Sequence, residues 1–440
     1  MNLLELEFGQ ISHTGMRRSN NQDNLGAVPA ANESQFQSQG HLFLIADGMG
    51  GHLGGEKASE LAVQIVPLSF AKNISLGVAS ALKIALQEAN STIHRRGQEA
   101  IHFYNMGTTC SGLVINKDGA WLGHVGDSRI YRIRHKSIDQ LTYDHSFLWE
   151  TAKFRKVRPE QVKDVMNNKI LRCLGPDLIV DVDVEGPHSL RTGDVFLLCS
   201  DGLSGPVGDV EIAQASWCLP ALDACRFLVA LANLRGGPDN ISIQIIKLDS
   251  TNSTDIGTNH LDLYSWTWLK TERILPWLLL PGLLTGLLFF WMAVKQVKEM
   301  IWPSLISAIL LTLAGVVGLI IPSLRNGWAK KTKELDLPEG SQRIYRHEKW
   351  VLEPDMLENL VKQLESLLQV GEGIISFQSV SLEVRQGIID SRELLVKKDF
   401  TAAFNLLAPL LPKLEPIMKL IYSKHIPQTP IILTRQGFKC

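Results

Sequence analysis

The sequence predicts an α+β domain over residues 1–248, then two membrane-spanning helices, then a small, mainly α-helical tail. Three observations point there. Short apolar runs bounded by Gly, Asp and Asn alternate with helical stretches through the first 248 residues. Two charge-free segments, 274–294 and 300–323, follow a polar linker. Residues 324–440 then carry apolar stripes at helical spacing.

In chain order, an apolar run at 42–46 reads as a strand, and 57–70 and 78–96 read as helices. In the second helix Ala81, Ile84, Ala85, Ala89 and Ile93 recur with the helical period. From Gly107 the pattern changes to strands at 110–115, 121–125 and 130–134, with Lys117-Asp118-Gly119 as a hairpin turn between the first two. Residues 146–170 are polar and helical in pattern, which marks an insertion between strands. Strands resume at 180–185 and 195–199, and the domain closes on a strand at 241–248.

Residues 249–272 open with Asp249-Ser250-Thr251-Asn252-Ser253-Thr254, a linker by composition. The segments 274–294 and 300–323 would each span roughly 31–36 Å as helices, against about 30 Å of bilayer core. Trp277, Trp291 and Trp302 lie near their ends, as in interfacial belts. The connection between them holds only the cations Lys295 and Lys298, whereas the outer flanks hold Lys270, Arg273, Arg325, Lys330, Lys331 and Lys333. The positive-inside rule then places both flanks, and so the N-terminal domain and the tail, in the cytoplasm of a two-span protein of the cell membrane. The N-terminus has no basic n-region or long apolar run, which agrees with that orientation.

In the tail, Leu357, Leu360, Val361, Leu364, Leu367 and Leu368 form one helix face. Phe400, Phe404, Leu407, Leu411, Leu414, Met418 and Ile421 form a second stripe, which Pro409, Pro412 and Pro416 break into two short helices. The plain expectation is a small helical domain that buries its own stripes. The alternative is a module for self-association or partner binding.

Composition narrows the function. Residues 1–250 carry 27 acidic and 23 basic side chains, and the whole chain is −1, so nucleic acid is not an expected partner. The six cysteines are scattered with no C-x-x-C spacing, which argues for buried thiols over disulfides or zinc. The informative residues are aspartates, each in or beside a turn at a strand end: Asp23, Asp47, Asp127, Asp201 and Asp239. Carboxylates brought together repel one another unless a hard cation lies between them. Such a centre points to hydrolytic chemistry.

The motifs around these aspartates resemble a known family. Arg18-x-x-Asn21-Gln22-Asp23, Ala46-Asp47-Gly48-Met49-Gly50-Gly51-His52, Met106-Gly107-Thr108-Thr109, Gly126-Asp127-Ser128-Arg129, Leu141-Thr142-x-Asp144-His145-Ser146, Ser200-Asp201-Gly202 and Asp239-Asn240-Ile241 follow in the order found in bacterial metal-dependent protein phosphatases, the PPM or protein phosphatase 2C family. The resemblance runs from about residue 8 to 248. It implies a four-layer α-β-β-α sandwich in which two antiparallel sheets pack face to face. It also implies two or three Mn²⁺ or Mg²⁺ ions and hydrolysis of phosphoserine and phosphothreonine on cytoplasmic proteins, the products of a Ser/Thr kinase.

By the same resemblance Asp47 bridges two ions, the Gly48 carbonyl joins the second, and Asp201 and Asp239 complete the set. Asp23 acts partly through metal-bound water, and Asp127 corresponds to a third, looser site. Arg18 corresponds to the phosphate-binding arginine, since a guanidinium can grip two phosphate oxygens and stays charged. Its neighbour Arg17 reads as a surface charge. His52 is a candidate general acid for the leaving alkoxide, and His145 reads as a structural hydrogen-bonder. The insertion 146–170 corresponds to the family's flap, but the usual glycine and His-Pro near its end are replaced by Met166-Asn167-Asn168-Lys169. Lys153, Arg155, Lys156 and Arg158 on it read as a solvated basic face, with steering of acidic phosphopeptides as the alternative.

Overall fold

The computed structural model describes residues 6–50, 54–99, 101–162, 169–248, 343–372 and 377–423. The segments 274–294 and 300–323, the linker 249–272 and His52 lie outside the described residues. Among the described residues no helix is long and apolar enough to cross a membrane.

The strands run in chain order as β1 (Leu6–His13), β2 (Asp23–Val28), β3 (His41–Met49), β4 (Gly107–Thr108), β5 (Cys110–Asn116), β6 (Gly119–Val125), β7 (Arg129–Arg134), β8 (Ser137–Gln140), β9 (Asp183–His188), β10 (Val195–Cys199), β11 (Ile241–Leu248) and β12 (Arg346–Lys349). Helix α1 (Glu33–Ser38) is short; α2 (Gly54–Asn73) and α3 (Val78–Glu99) are the two long helices that the period of the sequence predicts. Then come α4 (Phe147–Arg155), α5 (Asp201–Ser204), α6 (Asp209–Cys218) and α7 (Ala221–Leu234).

Two antiparallel sheets result, ordered β1-β11-β10-β7-β8-β12 and β2-β3-β5-β6-β9. Alternation of side chains divides each strand between two cores. Phe43, Ile45, Leu113, Ile115, Ile130, Phe196, Leu198 and Ile246 fill the space between the sheets. Leu42, Leu44, Ala46 and Val114 turn outward onto Ala58, Ala62, Val66, Leu82, Ala85 and Leu86 of α2 and α3. Tyr131, Leu197, Ile243 and Ile245 turn outward on the other side, onto Ile212, Phe227 and Leu228 of α6 and α7. The expected four layers are therefore present.

One strand differs from expectation. The sequence reads as a strand over 180–185, whereas β9 runs from Asp183 to His188. Gly186-Pro187 looks like a stop in the sequence, but pairing with β6 carries the strand through it, with a register shift between Ala120 and Leu122.

The tail corrects a larger expectation. It contains α8 (Pro354–Gly371), α9 (Gln378–Val396), α10 (Phe400–Leu407), a 3₁₀ segment Ala408–Leu414 and α11 (Glu415–Ser423). The proline-rich stripe is indeed broken into short helices. It is not a self-contained domain, however. Leu357, Leu364, Phe404, Leu407, Leu411, Leu414 and Met418 belong to one continuous core with α6, α7 and the first sheet. The rings of Phe227 and Phe404 meet edge-on at 5.3 Å.

The cause lies in α7. Every residue from Phe227 to Leu234 is buried, all of them apolar except Asn233, and a helix stretch apolar nearly all round must be covered on both sides. The sheet covers one side and the tail covers the other. The tail also supplies the sixth strand: β12 pairs antiparallel with β8, Arg346 opposite Gln140 and Lys349 opposite Ser137. At its far end Tyr422 donates to the Leu234 carbonyl at 2.9 Å, the Arg17 guanidinium lies over its ring, and His13 meets Glu415 at 3.2 Å. Cys110, Cys199 and Cys225 are buried free thiols, and Cys173 and Cys218 are half-buried and also free.

Candidate metal centre

The five aspartates come from both sheets. Asp23 opens β2 and stands directly opposite Asp47 on β3. Asp47 is held by its backbone: its N–H donates to Thr109 Oγ1 at 2.9 Å, and its carbonyl accepts from Thr109 N at 2.8 Å. Gly48 follows because nothing larger fits. A Cβ there would lie 2.2 Å from the Gly55 carbonyl oxygen and 2.5 Å from that of Gln22. The glycine thus lets the start of α2 close on the end of β3.

Asp201 begins α5, and Gly202 behind it packs against the next acidic loop. A Cβ at Gly202 would lie 1.9 Å from the Asn240 carbonyl oxygen. Asn240 braces the loop between β1 and β2 at three points: its amide donates to the carbonyls of Thr14 and Asn20 at 2.9 Å, and its oxygen accepts from Gln22 N at 2.9 Å. That bracing sets Asp239 beside the loop carrying Arg18. Arg18 Nη2 donates to Asp239 Oδ2 at 2.8 Å.

Asp127 sits in the turn between β6 and β7. Its loop is braced by His145, whose Nδ1 accepts from Gly126 N at 3.0 Å and whose Nε2 meets Asp183 Oδ2 at 3.0 Å. His145 is therefore a structural support, as its sequence context predicts. Arg129, two residues beyond Asp127, forks onto Asp144 through Nε and Nη2 at 2.9 and 2.7 Å.

Electrostatics couple the aspartates. Burial, then the negative charges of Asp23, Asp201, Asp127 and Asp239, pushes the Asp47 carboxyl well above the usual range. Burial pushes Asp127 up to about 8, with Asp201 and Asp144 adding to it and Arg129 opposing. Asp23 is raised to about 6 by burial, against hydrogen bonds from Ser242 and Ser200. Asp201 is raised by burial and by Asp239, while a hydrogen bond with Asp47 pulls it back.

Among the described residues no three His, Cys, Asp or Glu side chains already stand in a finished metal-ligand set. The donors nevertheless fit a hard cation. Oδ1 of Asp23, of Asp127 and of Asp201 are buried with no hydrogen-bond partner. Unpartnered buried carboxylate oxygens are costly, and oxygen-only donors suit Mg²⁺ or Mn²⁺.

Of the residues singled out from sequence, the fold thus links Asp23 with Asp47, Asp47 with Asp201, and Arg18 with Asp239. Asp127 joins them through charge. Sequence reasoning missed the bracing side chains Thr109, Ser200 and Asn240. All three lie inside the quoted motifs, next to Thr108, Asp201 and Asp239, which was the available signal. It also missed Asp183 and Arg172, which pair at 2.8 Å beneath His145 and carry no local signature.

The protein phosphatase 2C family matches residues 13–224. Protein phosphatase PhpP of Streptococcus pneumoniae is 31% identical over 256 residues, which is 56% of this chain and 100% of that protein. The chain belongs to the protein phosphatase 2C family. Serine/threonine phosphatase stp of Listeria monocytogenes is 32% identical over 246 residues, 54% of this chain and 94% of its own. A crystal structure of a bacterial serine phosphatase superposes with a TM-score of 0.50 at 26% identity, covering 57% of this chain and 100% of that one. This protein phosphatase 2C member is a metal-dependent serine/threonine phosphoprotein phosphatase. The relatives are used up over little more than half of the chain, so its tail is an addition to what they share.

Proposed function

We propose that Asp23, Asp47, the Gly48 carbonyl, Asp127, Asp201 and Asp239 hold two or three Mn²⁺ or Mg²⁺ ions, and that Arg18 binds the substrate phosphate. When bound, such ions supply a nucleophilic water at neutral pH and neutralise phosphoryl oxygens. The chain's own residues do the rest. Arg18, half-exposed on Asp239, can turn its remaining N–H groups to a phosphoryl group entering from solvent. Asp47 and Asp201, which share a hydrogen bond, can take up or release a proton as ions come and go. His52, outside the described residues, is the candidate proton donor to the leaving serine or threonine oxygen.

The observation that carries this reading is the set of three unpartnered buried carboxylate oxygens on Asp23, Asp127 and Asp201. Their charges are coupled to one central group, Asp47. A role limited to phosphoprotein binding has no use for so many buried acids.

The segments 274–294 and 300–323 tether the enzyme to the cell membrane with the catalytic domain and tail on the cytoplasmic face. The supporting features are their charge-free length and the asymmetry of flanking lysine and arginine. Its substrates are then phosphorylated cytoplasmic proteins made by a Ser/Thr kinase.

The test uses the full chain in detergent with p-nitrophenyl phosphate and a phosphothreonine peptide. Hydrolysis should require Mn²⁺ or Mg²⁺, and Asp47→Asn or Asp239→Asn should abolish it. Turnover that persists in a chelator would overturn the assignment. Separation of the chain into the soluble fraction without detergent would overturn the tether.

A further inference from the structure

We propose that Arg346, on the tail strand β12, is a positioning residue for the phosphatase reaction that holds both the Asp127 loop and the flap. The inference rests on the metal assignment above and goes beyond it to a part of the chain that the compared relatives do not cover.

Arg346 reaches two elements at once. Its Nη1 lies 3.2 Å from Asp209 Oδ2 at the start of α6, and its Nη2 lies 2.9 Å from Glu160 Oε1 in the flap. Glu160 belongs to the 3₁₀ turn Pro159–Gln161 that follows α4. A guanidinium suits this role because its planar fork can satisfy two carboxylates in fixed directions, which an ammonium cannot. Pairing with β8 fixes where β12 sits, and Tyr345 N bonds the Gln140 carbonyl at 2.9 Å immediately before it.

From Asp209 a chain of hydrogen bonds runs inward. Asp209 Oδ1 accepts from the buried Tyr131 hydroxyl at 3.0 Å. That hydroxyl accepts from Arg129 Nη1 at 3.0 Å. Arg129 in turn is forked onto Asp144 and sits two residues from Asp127. Asp209 is buried, so Arg346 is the cation that keeps its carboxylate in place to receive Tyr131. Without it the far end of the chain loses its anchor, and Glu160 releases the flap. Networks of this kind orient metal ligands from outside the ligand shell.

Three substitutions in the full chain, Arg346→Gln, Glu160→Gln and Asp209→Asn, separate the two arms, and a fourth, Arg346→Lys, tests the need for the guanidinium fork. Manganese binding is measured by calorimetry, flap mobility by the rate of tryptic cleavage within 153–158, and global stability by melting temperature. Arg346→Gln should weaken manganese binding by about 3- to 10-fold, below the ~10–100-fold of a group touching a ligand directly. It should also speed flap cleavage about fivefold. Glu160→Gln should speed cleavage and leave manganese binding at the wild-type value. Asp209→Asn should weaken binding and leave cleavage near wild type. Arg346→Lys should fail to restore both properties at once.

The proposal is overturned if Arg346→Gln binds manganese as wild type does and its flap is cut no faster. It is equally overturned if all variants shift both readouts only in step with a fall in melting temperature. A wild-type chain that takes up no manganese would instead reject the metal assignment. Flap cleavage in Arg346→Gln against wild type would then still decide the role of Arg346.

Discussion

Arg18 and Asp239, 221 residues apart in sequence, are joined by a 2.8 Å hydrogen bond at the solvent edge of the acidic cluster. The phosphate-binding candidate and a metal-binding candidate are therefore one another's partners. Arg18→Ala should lower kcat/KM for p-nitrophenyl phosphate by about 10- to 100-fold, the value of a charge-assisted hydrogen bond of ~1.5–3 kcal/mol. Most of the change should appear in KM. Steady-state kinetics at saturating Mn²⁺ check this, and an unchanged KM would remove Arg18 from the phosphate site.

Asp47 faces the charges of four other aspartates. Asp47→Asn should reduce Mn²⁺-dependent hydrolysis by about 100-fold or more. It should also raise the melting temperature in EDTA, because asparagine replaces a buried acid that must otherwise take up a proton or carry a repelled charge in the fold. About 2–4 °C per kcal/mol of relieved repulsion is the expected scale. A variant that is both inactive and less stable in EDTA would mean that Asp47 is structural.

The raised carboxyls give stability a pH dependence with a definite sign. Asp127 at about 8 and Glu185 at about 7 lie above their unfolded values, so they favour the fold while protonated. That stability is complete at low pH and is lost as pH rises through the folded pKa values. His124 and His188, depressed by burial to about 3 and about 4, act with the opposite slope, but their effect is complete once pH exceeds about 6.5. In EDTA the melting temperature should therefore fall between about pH 6.5 and 8. Saturating Mn²⁺ should flatten that slope, since a cation replaces the protons. A melting temperature that rises over this interval in EDTA would contradict the burial of Asp127.

Phe404 links the tail to α7 through Phe227. Phe404→Ala should cost about 3–5 kcal/mol and should lower the temperature at which phosphatase activity is lost. Calorimetry should show the tail and catalytic domain melting together. An extra early transition that leaves activity untouched would show them to be independent. For the same reason a fragment ending near residue 250 should bind hydrophobic dyes, because it uncovers α7.

Most of the catalytic sandwich was legible in the chain because its signals are local. The period of 78–96 against that of 110–115 separates helix from strand, and Val195–Cys199 and Ile241–Leu248 are found where their apolar runs lie. β9 was misplaced because hydrogen bonding to β6 outweighs the stop signal of Gly186-Pro187. The tail was misjudged for a related reason. The stripe Phe400, Phe404, Leu407 says that a face must be buried, but an amphipathic face does not name its cover. The continuous apolar run Phe227–Ala232 was the missing clue, since a helix buried all round needs a second covering layer.

By itself, then, the amino-acid order determined the acidic set, its order and the family chemistry, because each aspartate is defined by the few residues of its own turn. Only the tertiary structure decided who stands beside whom: Asp23 across from Asp47, Arg18 on Asp239, Arg346 between Asp209 and Glu160. Those pairings join side chains that are tens to hundreds of positions apart. They depend on how two sheets and a tail pack, and no local pattern encodes that distance.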